Sequence, residues 1–193
     1  MTKLNFHKAE ILTFLLITIL GIVNEKVTVF YIIYLFWLQE LIRTSVDSVF
    51  VFRQKKIVAE KGFFLKMAFA SYFVLWIYFI FIIILFGIML NWGNIDLLGE
   101  NIKVFMFKNW FFNINILVFA AEYLYFRSRA DNSELEVFPF NRRHIILHVS
   151  IILGAVLQMI VTPRLDINNQ WASALVIMPF MLLKIWIDKP KVS

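Results

Sequence analysis

The sequence predicts an all-α protein, an integral membrane bundle of about six transmembrane helices, and three observations support this prediction. Hydrophobic residues make up 61% of the 193 residues and the mean hydropathy is +0.78, which leaves too little polar surface to coat a soluble globule. Apolar runs recur at lengths near the roughly 20 residues that cross a hydrocarbon core as a helix. Lys and Arg residues are concentrated in alternate segments between these runs.

We predict one transmembrane helical domain over residues 1–193, with spans at about 9–23, 27–52, 67–90, 109–126, 143–161 and 171–188. The first apolar run follows Lys3, His7 and Lys8 and is short for a span. It ends in GIVNEK, which lacks the small-residue pattern of a signal-peptide cleavage site, so we interpret it as a retained helix. An arrangement of five spans without this helix stays open.

The later elements are separated by polar breaks. Span 67–90 is apolar apart from Ser71 and its Tyr and Trp groups, so we expect it to face lipid widely. Residues 95–107 mix apolar side chains with charged ones, which is typical of a short helix lying in the membrane interface. In span 171–188, Pro179 predicts a kink.

The distribution of positive charge predicts the orientation of the bundle. With the N-terminus inside, 14 Lys and Arg residues lie on the inner side and 4 on the outer side. Because cytoplasmic segments are enriched in these residues, both termini are predicted to be cytoplasmic, in a multi-pass protein of the cell inner (plasma) membrane. Trp92, Trp110 and Trp171 then fall at the outer interface and Trp186 at the inner one.

Several classes of function are disfavoured by what the sequence lacks. The net charge of +6 is spread between apolar segments, so the predicted partner is the lipid bilayer and not nucleic acid. The absence of cysteine excludes disulfides and thiolate chemistry. No G-x-S-x-G, HExxH or Walker A motif is present, which argues against an intramembrane serine protease of the rhomboid type.

A polar cluster is predicted in the cytoplasmic half of the bundle, centred on span 27–52. Glu40, Arg43 and Asp47 are spaced i, i+3 and i+7 on one helical face, and Glu122 lies near the cytoplasmic end of span 109–126. Ionisable groups inside a span are costly and usually face the protein interior or water. The face is therefore either a chain of internal ion pairs or the lining of a water-filled vestibule in which Glu40 binds a proton or a ligand.

Two histidines one helical turn apart predict a candidate divalent-metal site. His144 and His148 share a face, and Glu122 or Asp47 would complete the ligand shell. In the alternative interpretation His144 is interfacial and His148 acts as a proton acceptor. Which of the two applies is left open by the spacing alone.

Three stretches of the sequence carry a family resemblance. The stretch RHIILHVSIILG is similar to an Arg-Ile-x-x-x-His-x-x-Ile-x-x-Gly helix, YLFWLQELIRTSVDSVF to a Tyr-Trp-x-Glu helix, and LLKIWIDKPK to a terminal Lys-x-x-x-Asp. Together they resemble a family of small bacterial and archaeal membrane proteins known only as a domain of unknown function. The resemblance implies a polytopic inner-membrane protein without a settled activity. It points to Arg143, His148, Gly154, Lys184 and Asp188.

The second of these helices departs from the family pattern. Gln39 stands where the family usually has an acid, and Glu40 follows one residue later, about 100° around the helix. The candidate ligand- or proton-binding residues are Glu40, Arg43, Asp47, Glu122, Arg143, His148, Lys184 and Asp188.

The function predicted from this cluster is the binding of a proton, a metal ion or a small polar ligand. Three alternatives stay open. One is a small transporter or channel, for which a bundle of this size would need a homodimer. The others are an intramembrane metal-dependent enzyme and a non-catalytic assembly or regulatory subunit, in which the charges pair internally.

Overall fold

The computed structural model describes residues 3–24, 26–53, 61–129 and 142–161, together with positions 178, 179 and 182. The helices are α1 (Lys3–Val23), α2 (Val29–Arg53), α3 (Lys61–Ile82), α4 (Ile95–Phe105), α5 (Trp110–Arg129) and α6 (Arg142–Val161). The described ranges contain no strand, which confirms the predicted all-α class. Apart from the three isolated positions, predicted span 171–188 lies outside the described residues.

The described part of the chain has three helical ranges that are long and apolar enough to cross a membrane. They are Val29–Phe52, Gly62–Asn91 and Ile95–Ser128, while the apolar parts of α1 and α6, Leu12–Val23 and Leu147–Leu157, are shorter. Helix α1 begins earlier than predicted, at Lys3, but its N-terminal turns carry charged residues and do not lengthen the apolar run.

The range 95–128 is two helices, because the backbone breaks between α4 and α5. Phe107 adopts a φ of +56°, which lies in the left-handed region of the backbone map. A right-handed helix cannot continue through a residue in this conformation. The Asn109 side chain accepts the backbone N–H of Phe112 at 3.1 Å and caps the start of α5. The Asn94 side chain caps α4 in the same way, by accepting the N–H of Leu97 at 3.1 Å.

Helix α2 lies at the centre of the described bundle. In its apolar window 61% of residues are buried, against 17% for the range containing α3 and 28% for the range from α4 to α5. Tyr31, Ile32, Ile33 and Leu35 are fully buried, and α2 packs against α3, α5 and α6. The low burial of α3 agrees with the predicted wide outward face of that helix.

Side-chain contacts establish that α2 and α3 are antiparallel. The indole N–H of Trp37 donates to the Leu75 carbonyl at 2.7 Å, and further along α2 the Tyr72 hydroxyl donates to Ser45 Oγ at 3.2 Å. As the position on α2 increases, the position on α3 decreases. The end of α2 and the start of α3 therefore lie at one end of the bundle.

Helix α5 runs parallel to α2. The Asn115 amide donates to the Tyr31 hydroxyl at 2.9 Å near the start of both helices, and Tyr123 contacts Asp47 near their ends. Because α2 and α5 run in the same direction, the chain must return along the bundle between them, and α3 with the segment 83–109 makes this return. Helix α1 is antiparallel to α2, because Gly21 lies beside Val27 and the Phe14 ring lies 5.9 Å from that of Phe36.

Helix α3 does not end as a regular α-helix, in contrast to the uniform span predicted to residue 90. It continues as a π-helical turn (Ile83–Ile88) and a short 3-10 turn (Met89–Asn91). A π-helical turn displaces carbonyls from the α-helical bonding pattern. The Phe86 carbonyl accepts the amides of Asn91 at 2.6 Å and Asn101 at 3.2 Å.

The same end of the bundle is held together by a buried polar contact and an exposed ionic one. Thr28 Oγ1 donates to Asn101 Oδ1 at 2.8 Å, which joins the start of α2 to α4. At the surface, Glu100 pairs with Lys26 at 3.1 Å and with Lys103 at 2.8 Å. These contacts fix α4 against the start of α2.

Candidate functional site

One face of α2 carries a buried row of polar side chains. Glu40, Thr44, Asp47 and Ser48 follow the spacing i, i+4, i+7 and i+8, and each is at most 6% exposed. Gln39, beside this row, is 4% exposed. Because the helix is otherwise apolar enough to cross a membrane, a buried polar face of this length is unusual for packing alone.

Asp47 is the best defined group of this face. The Tyr123 hydroxyl lies 2.9 Å from both of its carboxylate oxygens, so its single proton is shared between them. Arg127 Nε lies 3.2 Å from Asp47 Oδ1, and the two side chains are only 4% and 5% exposed. The pair is therefore a desolvated ion pair that joins α2 to α5.

Aromatic rings surround the two arginines. The Arg43 guanidinium carbon lies 4.9 Å from the centroid of Phe119 and 5.8 Å from that of Tyr123. The Arg127 guanidinium carbon lies 5.9 Å from the ring of Phe50. Cation–π contacts of this kind stabilise a guanidinium that has left water. Tyr123 thus contacts both Asp47 and Arg43.

Arg127 retains donors that this arrangement does not use. Its Nε is close to Asp47 but outside hydrogen-bonding geometry, and its Nη2 has no hydrogen-bond acceptor among the residues the structure describes. The Ser48 and Ser150 hydroxyls are also buried without a partner in that part of the chain. A guanidinium has five N–H donors, and a buried donor without an acceptor is costly.

The structure brings together some of the predicted site residues. Arg43 and Asp47 meet at Tyr123, as described above, and Glu40 is buried on the same face of α2. Glu122 is half-buried on α5, adjacent in sequence to Tyr123.

Other predicted residues lie elsewhere or outside the described part. His148 is exposed on α6, and its ring packs beside Tyr78 of α3 at 5.7 Å between centroids. The side chains of Arg143 and His144, and residues Lys184 and Asp188, lie outside the described residues.

The metal site stays a prediction. No group of three or more His, Asp or Glu side chains that would hold a metal occurs among the described residues, and the predicted set of His144, His148 and Glu122 includes a side chain beyond them. Metal content of the purified protein, compared with a His144→Ala/His148→Ala variant, tests this prediction directly.

Of the two partners of Asp47, Tyr123 is not among the residues that the sequence singles out, and the sequence places Arg127 only near Glu122, as a structural pair at the helix end. Phe119, Tyr123 and Arg127 are spaced i, i+4 and i+8, so they share one face of α5. That spacing, in a helix of span length, is the sequence signal that could have identified this face of α5 as part of the site. Arg127 is also one of the 14 Lys and Arg residues predicted on the inner side.

Fold and site together define a class of protein: an all-helical chain with three ranges long enough to span a membrane and a buried charged cluster between α2 and α5. The sequence matches, over residues 2–190, the family described as Family of unknown function (DUF6498), and the chain belongs to this family. This confirms the predicted resemblance to a domain of unknown function. No curated protein and no solved structure matches the chain significantly.

Proposed function

We propose that this chain is a multi-pass protein of the cell inner membrane, with six spans and both termini in the cytoplasm. Three span-capable ranges and the directions of the helices support the proposal. The end of α2, the start of α3 and the end of α5 share one end of the bundle, which is the end that the distribution of Lys and Arg assigns to the cytoplasm. The Asp47 cluster then lies toward the cytoplasmic side.

Labelling of single cysteines tests this topology, since the native chain contains no cysteine. Asp96→Cys and Lys108→Cys are at exposed positions near α4 and should react with a membrane-impermeant maleimide added to intact cells. Lys191→Cys should react only after the membrane is permeabilised. Labelling of position 191 in intact cells, or protection of position 96, would contradict the proposed orientation.

The function that the site supports best is the binding of a small polar or charged ligand by the buried face of α2. The observation that carries it is the row of four polar side chains from Glu40 to Ser48, each nearly inaccessible. Desolvating such groups costs several kcal/mol per ion, and well-packed apolar residues often replace a buried pair without loss of stability. Stability alone therefore does not require this face, whereas recognition of a polar ligand does.

Ligand binding is tested by thermal unfolding of the detergent-purified chain with defined probes. Inorganic phosphate, succinate, ammonium and glycine are titrated separately, and the pH is varied from 5 to 8. At least one probe should raise the unfolding midpoint saturably, because a ligand that binds only the folded state stabilises it.

Matched variants assign the response to the α2 face. Asp47→Asn or Thr44→Val should change the apparent affinity at least threefold, whereas Asp96→Asn, at an exposed position on α4, should not. A midpoint that no probe and no pH change moves would argue against this function.

A non-catalytic assembly or regulatory subunit is the second candidate, and the Asp47–Arg127 pair favours it. In that function the charges neutralise each other and lock α2 to α5. A double variant, Asp47→Leu/Arg127→Met, separates the two candidates. Loss of stability together with unchanged probe binding would support the structural function, whereas loss of probe binding from a stable variant would support the ligand site.

A further inference from the structure

The guanidinium of Arg127 has one edge that the folded chain leaves unused. Nε and Nη2 lie on the same edge of the planar group, and their two N–H bonds form the fork that usually receives an oxyanion. Asp47 Oδ1 is 3.2 Å from Nε but off the N–H direction, and Nη2 has no acceptor in the described ranges. The Arg127 residue is only 4% exposed, so water does not readily replace the missing acceptor.

The geometry points to Arg127 as the group that binds an oxyanion, a carboxylate or a phosphate, in bidentate fashion through its Nε–Nη2 edge. This inference rests on the proposed ligand-binding function and names the class of ligand. One Asp47 oxygen lies beside Nε but does not accept its N–H bond, and the Phe50 ring packs near the guanidinium carbon. The fork is thus held in place before the ligand arrives.

The charges around the fork are compatible with an anion. Arg43, stacked on Phe119, is a second cation that shares Tyr123 with Asp47. The other acidic side chains that α2 and α5 carry here are Glu40 and Glu122, and both interact with other groups of the protein. The Asp47 carboxylate lies 3.2 Å from Arg127 Nε, so its charge opposes the ligand.

Two sources can supply an oxyanion of this kind to Arg127. In the proposed topology Arg127 lies near the cytoplasmic end of α5, which ends at Arg129. A free cytoplasmic phosphate or carboxylate can reach this level, and so can the phosphate of an anionic lipid headgroup. The burial of Arg127 favours a small free anion, and the experiment separates the two sources.

The test uses the full chain in nanodiscs of zwitterionic lipid, with calorimetric titration of inorganic phosphate or succinate at constant ionic strength. Saturable binding is expected. Arg127→Lys keeps the positive charge but loses the planar fork, so it should weaken binding about tenfold or more. Asp47→Asn removes the opposing carboxylate and should strengthen binding severalfold. Lys103→Gln, at the other end of the bundle, should leave the affinity unchanged.

Each outcome bears on the inference. If anionic lipid in the nanodisc abolishes the binding of added phosphate and succinate, the fork is assigned to a headgroup. Equal affinity in wild type and Arg127→Lys, or a response shared with Lys103→Gln, overturns the assignment to Arg127. If ammonium or protons act through Asp47 while phosphate and succinate do not, this inference fails and the proposed function stands.

Folding of the variants is checked separately. Unfolding midpoints of Arg127→Lys and Asp47→Asn without added anion show whether each variant is folded under the titration conditions. If Arg127→Lys does not fold, the opposite sign expected for Asp47→Asn still tests the inference. Weaker anion binding in Asp47→Asn would contradict it.

Discussion

Asp47 of α2 and Arg127 of α5 form an ion pair at 3.2 Å in which neither side chain is more than 5% exposed. The Tyr123 hydroxyl contacts the same carboxylate, so α5 contributes two partners one turn apart. Because α2 and α5 are parallel, these contacts fix the register between two helices that are not neighbours in sequence. The pair is thus both a structural lock and the centre of the candidate site.

Removing one member of this pair should be far more destabilising than removing an exposed charge. Asp47→Ala leaves Arg127 buried and uncompensated, which should lower the free energy of unfolding by about 3–5 kcal/mol. Denaturation of the purified protein in detergent, followed by circular dichroism, measures the change. Asp96→Ala, at an exposed position, should change it by less than about 0.5 kcal/mol. A loss below about 1 kcal/mol for Asp47→Ala would show that the pair is well hydrated.

The contact between Trp37 and Leu75 gives a second prediction. Trp37→Phe removes the indole N–H that donates at 2.7 Å and leaves a small cavity at a position that is 8% exposed. The expected loss is about 1–3 kcal/mol in the free energy of unfolding. Trp76→Phe, on the same antiparallel pair but 60% exposed, is the matched control and should be nearly neutral in detergent. Equal losses at the two positions would contradict the assigned hydrogen bond.

The turn from α1 to α2 depends on Gly21. A Cβ at this position would lie 2.6 Å from Val27 Cγ2, and the Val27 side chain is stiff and buried. Gly21→Ala should therefore destabilise the protein by about 1–3 kcal/mol. Gly99→Ala, where nothing lies within 4 Å, should be neutral or stabilising by up to about 1 kcal/mol in helix α4.

A double variant shows whether overpacking is the cause. Gly21→Ala/Val27→Ala removes the clashing methyl groups, so it should be less destabilised than the sum of the two single changes. Strict additivity would indicate that Gly21 acts through backbone conformation and not through this contact.

The buried amide of Asn101 provides a fourth prediction. Asn101→Ala removes the acceptor of the Thr28 hydroxyl and one donor to the Phe86 carbonyl, which should cost about 1–3 kcal/mol. Glu100→Gln, one residue earlier, weakens only exposed ion pairs and should cost less than about 1 kcal/mol. Thermal unfolding of the two variants in the same detergent compares them. A larger effect at Glu100 would reverse the expected order.

Much of the helical framework could be predicted from the sequence, because long apolar runs leave few alternatives to a helix. Predicted span 27–52 corresponds to α2 at Val29–Arg53, and 143–161 to α6 at Arg142–Val161. The π-helical end of α3 could not be predicted, since IILFGI is as compatible with an α-helix as with the turn observed. The side-chain amides of Asn91 and Asn101 stabilise this turn by donating hydrogen bonds to the Phe86 carbonyl.

The candidate site was predictable on one side only. Glu40, Arg43 and Asp47 stand out within an apolar helix, so α2 was identified from composition and spacing. Tyr123 and Arg127 resemble ordinary residues of a helix end, because Tyr and Arg are common at a membrane interface. Only the parallel packing of α5 on α2 shows that these side chains point inward and meet Asp47.

The parallel arrangement of α2 and α5 also sets the order in which the protein is assembled during synthesis. Asp47 and Tyr123 are 76 positions apart, so at a translation rate of about 5–20 residues per second the carboxylate is made about 4–15 s before its partners. A hairpin of α2 with α3 forms from neighbouring segments, whereas α5, which packs against both α1 and α2, arrives after α3 and α4 have been made. Until α5 packs on α2, the nascent chain therefore carries Asp47 on its central helix without the contacts to Tyr123 and Arg127.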